Sequence, residues 1–151
     1  MTLRIATLLA TWFGCGRVPF APGTLGTLAA LPVFFLLREL GAYGVLGGAI
    51  VITILGVWAS GHVARASAVK DPQIVVIDEV AGLLVTLSPG AQGWSVLVGL
   101  VAFRIFDQWK PWPANVFEAR LPDGWGIVMD DVAAGVWAAL LMVTLRTWIE
   151  I

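Results

Sequence analysis

Uncharged apolar runs cover Val18 to Leu37, Leu40 to Ala64, Val80 to Phe103 and Val132 to Leu145. A bilayer core asks for about 20 apolar residues per helix, so at least three of these runs are long enough to span one. The remainder of the chain agrees. AVILMFWYC residues make up 59% of the 151 and charged residues only 13%, with a mean hydropathy of +0.90, whereas a soluble domain carries roughly 25% charged residues. Too few charges are present to cover a globule in water. Arg4 followed by Ile5 to Phe13 has the start of a secretory signal, but Gly14-Cys15-Gly16-Arg17 follows it and long apolar runs recur downstream. The expectation is a single domain, residues 1–151, folded as an all-α integral membrane helical bundle that passes the membrane several times.

The third run contains Ser88-Pro89-Gly90, a helix-stopping cluster. It predicts two shorter helices, roughly Pro72 to Leu87 and Gly93 to Lys110, folded into a hairpin. The hairpin brings Arg4, Arg17, Arg65, Lys70, Arg104, Lys110 and Arg120 to one side and leaves Arg38 and Arg146 on the other. By the positive-inside rule the basic side, with the N-terminus, is cytoplasmic. Gly44-x-x-x-Gly48 and Gly56-x-x-x-Ser60 in the second run suit close helix packing, or are ordinary membrane-helix glycines. Between Trp109 and Met129 the chain is polar and rich in Trp, with Pro113 placed to open a short surface helix and Asp123-Gly124 to follow it with a turn.

A net charge of −1 lacks the cationic excess that nucleic-acid binding requires, so no nucleic-acid partner is expected. One Cys and one His, Cys15 and His62, cannot build a zinc site from N and S ligands. Any metal must be held by oxygen. Five acids stand out against the apolar background: Asp78 and Glu79 inside an apolar stretch, Asp107 three residues after Arg104, and Asp130 and Asp131 directly before the last apolar run, where either would cap the final helix. The hairpin gathers all of them at one membrane surface, forming a polar site on the cytoplasmic face. Carboxylates crowded at a low-dielectric edge need compensating positive charge. Mg²⁺ is the natural choice, because it accepts one or two carboxylates together with water and substrate oxygens. The plainer alternative is a helix ion pair between Arg104 and Asp107 with Asp130 or Asp131 as a cap.

Pro22-Gly23-Thr24-Leu25-Gly26 leads into the first long helix, with Thr24 suited to N-cap it and its free N–H groups suited to an anion. Neither a Walker A pattern nor a dinucleotide fingerprint is present. A Cys-dependent phosphatase loop needs Arg six residues after its nucleophile, and Ala21 stands there. His62 has no second His to act as acid, and Asp130 and Asp131 are adjacent rather than separated by one residue as in haloacid-dehalogenase phosphatases.

In order along the chain stand Gly14-x-Gly16-x-x-Pro19-x-x-Pro22-Gly23-Thr24-x-Gly26, Asp78-Glu79, Phe103-Arg104-x-x-Asp107-x-Trp109-Lys110-Pro111-Trp112-Pro113 and Gly124-x-Gly126-Ile127-x-Met129-Asp130-Asp131-x-x-Ala134-Gly135. This series resembles the phosphatidylglycerophosphatase A family over nearly the whole chain, with the Trp-Lys-Pro-Trp-Pro block the most specific part. The resemblance implies a bacterial inner-membrane, Mg²⁺-dependent hydrolysis of the lipid substrate phosphatidylglycerol phosphate to phosphatidylglycerol and phosphate. Asp78, Glu79, Asp107, Asp130 and Asp131 then form the pool of metal ligands and general base, undivided by sequence. Gly23, Thr24, Arg104 and Lys110 are expected to receive substrate phosphate oxygens. Membrane lipids surround the chain, and a homo-oligomer is compatible with the sequence. Two rivals use the same acids: a membrane headgroup transferase, although the Asp-Gly-x-x-Ala-Arg signature of CDP-alcohol phosphotransferases is absent, and an ion- or proton-coupled transporter.

Overall fold

A computed structural model describes residues 1–148. Its helices are α1 (Thr2–Ala10), α2 (Pro22–Leu37), α3 (Gly41–Ser67), α4 (Ile77–Leu87), α5 (Trp94–Trp109), α6 (Ala114–Arg120) and α7 (Asp123–Trp148), with 3₁₀ turns at Cys15–Arg17 and Arg38–Leu40. No strand occurs among the described residues. The protein is an all-α bundle. The stretches Pro22–Ser67 and Asp123–Trp148 are long and apolar enough to cross a membrane. At 1.5 Å per residue α3 alone extends about 40 Å, more than the ~30 Å hydrocarbon layer.

The hairpin forms where Pro and Gly stop the helix. α4 ends at Leu87, Gly90 and Gly93 take positive φ angles of 97° and 51°, and α5 returns from Trp94. α4 is shorter than the sequence pattern predicts, beginning at Ile77 instead of near Pro72. The intervening residues brace the N-terminal loop: the Val76 N–H donates to the Ala10 carbonyl at 2.9 Å, and the backbone of Gly16 lies against the Ile74 carbonyl so closely that no Cβ would fit. Those tertiary bonds compete with another helical turn.

α4 is the centre of the bundle, in contact with α2, α3, α5 and α7 and buried at every position except Glu79 and Val85. Its tightest neighbour is α7. A Cβ on Gly135 would overlap the Gly82 carbonyl, and one on Gly82 would meet the Asp131 carbonyl at 2.7 Å as well as the Phe103 ring. Thr86 adds a hydrogen bond to the Gly82 carbonyl at 2.9 Å and reaches the Gly135 carbonyl at 3.3 Å. Small residues thus let two backbones touch, the packing mode that dominates where lipid removes the usual hydrophobic drive. The outer faces are apolar instead of polar: Tyr43, Ile50, Val51 and Ile54 on α3, Val101 and Ile105 on α5, and Val136, Leu140 and Val143 on α7 are all exposed.

The two ends of the bundle differ as the hairpin expectation requires. Arg146 donates to the Pro89 carbonyl at 3.3 Å, and Arg38 lines a cavity with Gly90 and Gly93, so both sit at the hairpin turn. The five candidate acids collect at the opposite end.

Three local expectations are corrected. Thr24 is not an N-cap: α2 starts at Pro22, which presets the first helical φ, after Ala21 in a left-handed conformation, and Thr24 is exposed. Asp123-Gly124 does not make a turn; Asp123 opens α7 and pairs with Arg65. Asp130 and Asp131 therefore lie inside α7, not before it, and neither is a cap. The reason is packing, since a Cβ on Gly124 would overlap the Val57 carbonyl, so this glycine serves helix contact with α3.

Gly135→Ala should separate α4 from α7 and cost on the order of 1–3 kcal/mol, the usual range for overpacking. Gly47→Ala, where an added Cβ meets nothing, should leave stability equal or slightly raised. Thermal unfolding in detergent checks both, and equal midpoints for the two variants would refute the close contact.

Candidate active site

The N-terminal turn of α4 carries Asp78 and Glu79, the C-terminal part of α5 carries Arg104 and Asp107, and α7 carries Asp130 and Asp131. Lys110 follows α5 in a left-handed conformation, φ 48°, which ends the helix and turns its side chain back over the site. These seven residues share one open cleft of about 300 Å³ with Pro22, Gly23 and the loop residues Asp71, Gln73 and Val75. Thr24 is the one candidate that does not line it. Gly23 is needed there for its size. A Cβ would overlap Glu79 Oε1 and lie 3.3 Å from both terminal nitrogens of Arg104.

Ion pairs divide the acids into two kinds. Asp107 receives Arg104 Nη1 at 2.7 Å, with Glu79 Oε1 further off at 3.8 Å. Asp130, only 4% exposed, receives Lys110 Nζ at 2.7 Å and takes the Asp131 N–H at 3.0 Å. Lys110 also reaches Glu118 of α6 at 2.8 Å, tying the surface helix to α7. Burial by itself lowers the affinity of the Lys110 ammonium for its proton, but hydrogen bonds to Asp130 and Glu118 outweigh it and push its pKa above the ordinary lysine value.

The other kind keeps open oxygens. Asp78 Oδ1, Glu79 Oε2 and Asp131 Oδ2 are buried without a hydrogen-bond partner. Ligand oxygens from these three lie within 4.8 Å of one another. Buried carboxylate oxygens facing each other without donors are costly unless a cation joins them. Such an all-oxygen set fits a hard divalent ion. The cleft holds six carboxylates, Asp71 included, against Arg104 and Lys110.

Sequence reasoning missed Asp71, Gln73, Thr27 and Glu118. Thr27 is fully buried; its hydroxyl donates to the Gly23 carbonyl at 2.8 Å and lies 3.5 Å from Arg104 Nη1. Asp71 is exposed on its outer side, yet desolvation by the cleft wall raises its pKa above the usual carboxylate value, opposed by the charge of Lys110. In Val69-Lys70-Asp71-Pro72 it reads as ordinary loop polarity. Among the predicted bases, Arg65 pairs with Asp123 outside the cleft.

An apolar-faced helical bundle with carboxylates and two cations around one cleft is suited to phosphate chemistry at a membrane surface. The family model described as phosphatidylglycerophosphatase A matches residues 8–146. Phosphatidylglycerophosphatase A of Escherichia coli is 38% identical over 87% of this chain and 78% of its own length. The Haemophilus influenzae protein of the same name is 33% identical over 93% and 88%. A Bacteroides thetaiotaomicron protein with the provisional name phosphatidylinositol-3-phosphatase is 34% identical over 96% and 95%. No solved structure shows a significant match. The chain belongs to the phosphatidylglycerophosphatase A family and is a lipid phosphatase, a phosphoric monoester hydrolase.

Lys110→Met should leave Asp130 buried beside no cation and destabilise the protein by roughly 1–3 kcal/mol, the worth of a charge-assisted bond whose partner is stranded. Adding Asp130→Asn should recover part of that loss. A double-mutant cycle on unfolding midpoints measures it, and strictly additive effects would mean that the pair is not coupled.

Proposed function

We propose that the protein is a Mg²⁺-dependent phosphatidylglycerophosphatase, hydrolysing phosphatidylglycerol phosphate to phosphatidylglycerol and inorganic phosphate at the cytoplasmic face of a bacterial inner membrane that it crosses several times. The observation that carries the reading is the trio of unpartnered buried oxygens on Asp78, Glu79 and Asp131. These residues would hold the ion. When bound, it supplies Lewis-acid polarisation of the phosphoryl oxygens. Asp107 and Asp130, each engaged by a cation, complete the acidic set by holding Arg104 and Lys110 in place.

Arg104 presents a planar guanidinium with donors left over after Asp107, suited to the equatorial phosphate oxygens. Lys110 has three N–H donors, two of which meet Asp130 and Glu118, leaving one for phosphate. Gly23 lets the start of α2 approach the same space. Water oxygen forms the bond to phosphorus while the bond to the headgroup oxygen breaks. A carboxylate of the Asp78, Glu79 and Asp131 group accepts the proton from water and returns it to the departing oxygen, which becomes the headgroup hydroxyl. Membrane orientation rests on the basic residues: Arg104 and Lys110 share the cleft end, and Arg38 and Arg146 stand at the other.

Phosphate release from phosphatidylglycerol phosphate in detergent should require a divalent cation, Mg²⁺ preferred, and stop in excess EDTA with the helical circular-dichroism signal retained. Full turnover in EDTA would overturn the metal reading. A requirement for a CDP-activated lipid would identify a transferase instead, and ion flux without phosphate release a transporter.

Asp131→Asn keeps the size of the side chain and removes its charge. It should insert normally and lose activity by about a hundredfold or more, the scale for a general base or ligand. Asp123→Asn, which breaks only an exposed pair with Arg65, should shift stability by about 1 kcal/mol at most and leave turnover near wild type. Wild-type turnover by Asp131→Asn would remove it from the site.

A further inference from the structure

The polar cleft has an apolar neighbour. Along the end of α5, Asp107 and Lys110 line the cleft while Phe106 and Trp109 line a separate groove of about 350 Å³ between α5 and α7, completed by Trp137, Leu140, Leu141 and Thr144. Its wall is ordered aromatic surface. The Phe106 ring stacks on Trp109 at 6.0 Å and on Trp137 at 6.4 Å, and Trp137 Nε1 donates to the Trp112 carbonyl at 2.9 Å.

We propose that this groove is the acyl-chain subsite of the enzyme, receiving a fatty-acyl chain of the lipid whose phosphate enters the cleft. The inference rests on the lipid-phosphatase reading above and adds where the lipid tail lies. Its occupant follows from continuity and direction. Groove and cleft share the 106–110 turn, so a molecule with its terminal phosphate at Arg104 and Lys110 can run its glycerol headgroup across that turn and bring an ester-linked tail to the side of Phe106 and Trp109. From Trp137 the groove follows α7 to Thr144, about 10 Å at 1.5 Å per residue. That course leads away from the cleft end toward Arg146, which is bonded at the hairpin turn, and hence in the direction a tail takes below its headgroup. Apart from Thr144 its lining is apolar or aromatic, matching a hydrocarbon chain and no polar ligand.

Leu140→Trp and Thr144→Trp add bulk at exposed positions and fill the groove without entering the cleft. The readout is the ratio of kcat/KM for dioleoyl over dibutyryl phosphatidylglycerol phosphate, the short chains ending before Leu140. Filling the groove should reduce that ratio by about tenfold, mainly through KM for the long-chain lipid, since only its tail loses apolar contact. A ratio equal to wild type in both folded variants would overturn the proposal.

Photolabelling separates this failure from failure of the phosphatase reading. Phosphatidylglycerol phosphate with a diazirine acyl chain, dilute in phosphatidylcholine nanodiscs, should label wild-type protein chiefly at residues 137–144. Phosphatidylcholine carrying the same diazirine should label the apolar faces broadly. Equal labelling patterns would overturn the subsite even where phosphate is released. Focused labelling without phosphate release would keep the subsite and reject the hydrolysis.

Discussion

Backbone contact between α4 and α7 at Gly82 and Gly135 is the constraint on which the site depends. It is close enough for Thr86 to reach carbonyls of both helices, and it sets the register in which Asp131 faces Asp78 and Glu79. Any side chain at either glycine would move one carboxylate group away from the other. α4 is also the only helix described that is almost wholly enclosed, so apolar packing fixes the backbone that carries the acids at its N-terminal turn while their carboxylates face the cleft. Rigid placement of charge in a low-dielectric surround is what makes such a group chemically useful, because the surround cannot reorganise to neutralise it.

The surplus of acids is handled in two ways. Asp107 and Asp130 have fixed partners in Arg104 and Lys110, and those pairs aim two cations across the cleft. Asp78, Glu79 and Asp131 keep oxygens without donors. Pairing all five internally would leave no position for a divalent ion, and pairing none would make the folded state prohibitively charged. The arrangement also gives α6 a purpose, since Glu118 on it steadies Lys110 from the solvent side.

Polar and apolar surfaces meet at one turn of α5. Within Phe106-Asp107-Gln108-Trp109-Lys110 the helical repeat and the left-handed Lys110 that ends it send charged residues to one cavity and aromatic residues to another. A phospholipid is itself divided in this way, and the family to which the chain belongs acts on such a molecule. The relatives differ in the lipid that their names specify, phosphatidylglycerol phosphate chemistry in two and phosphatidylinositol 3-phosphate chemistry in the third. Asp71 and Gln73 line the same cleft from a loop.

Much of this was legible without coordinates. Apolar run lengths require membrane-scale helices, Ser88-Pro89-Gly90 stops one of them, and carboxylates stand out where nearly everything else is apolar. Those are local properties, set by hydration cost and backbone sterics, so the residues alone determine them. The start of α7 was not legible. Asp123-Gly124 has turn chemistry, and only the nearness of the α3 backbone at Val57 makes glycine a helix-packing residue there. The same holds for α2, whose start is set by Pro22 and Ala21 while Thr24 points elsewhere, and for Asp71, whose place at the cleft comes from a loop pinned to Ala10 and Gly16. The Arg104–Asp107 pair, three residues apart on one helix, was legible in the sequence, whereas the pairing of Asp130 with Lys110 and the open oxygens of Asp78, Glu79 and Asp131 were decided by the tertiary structure, because they depend on distances between segments far apart in the chain.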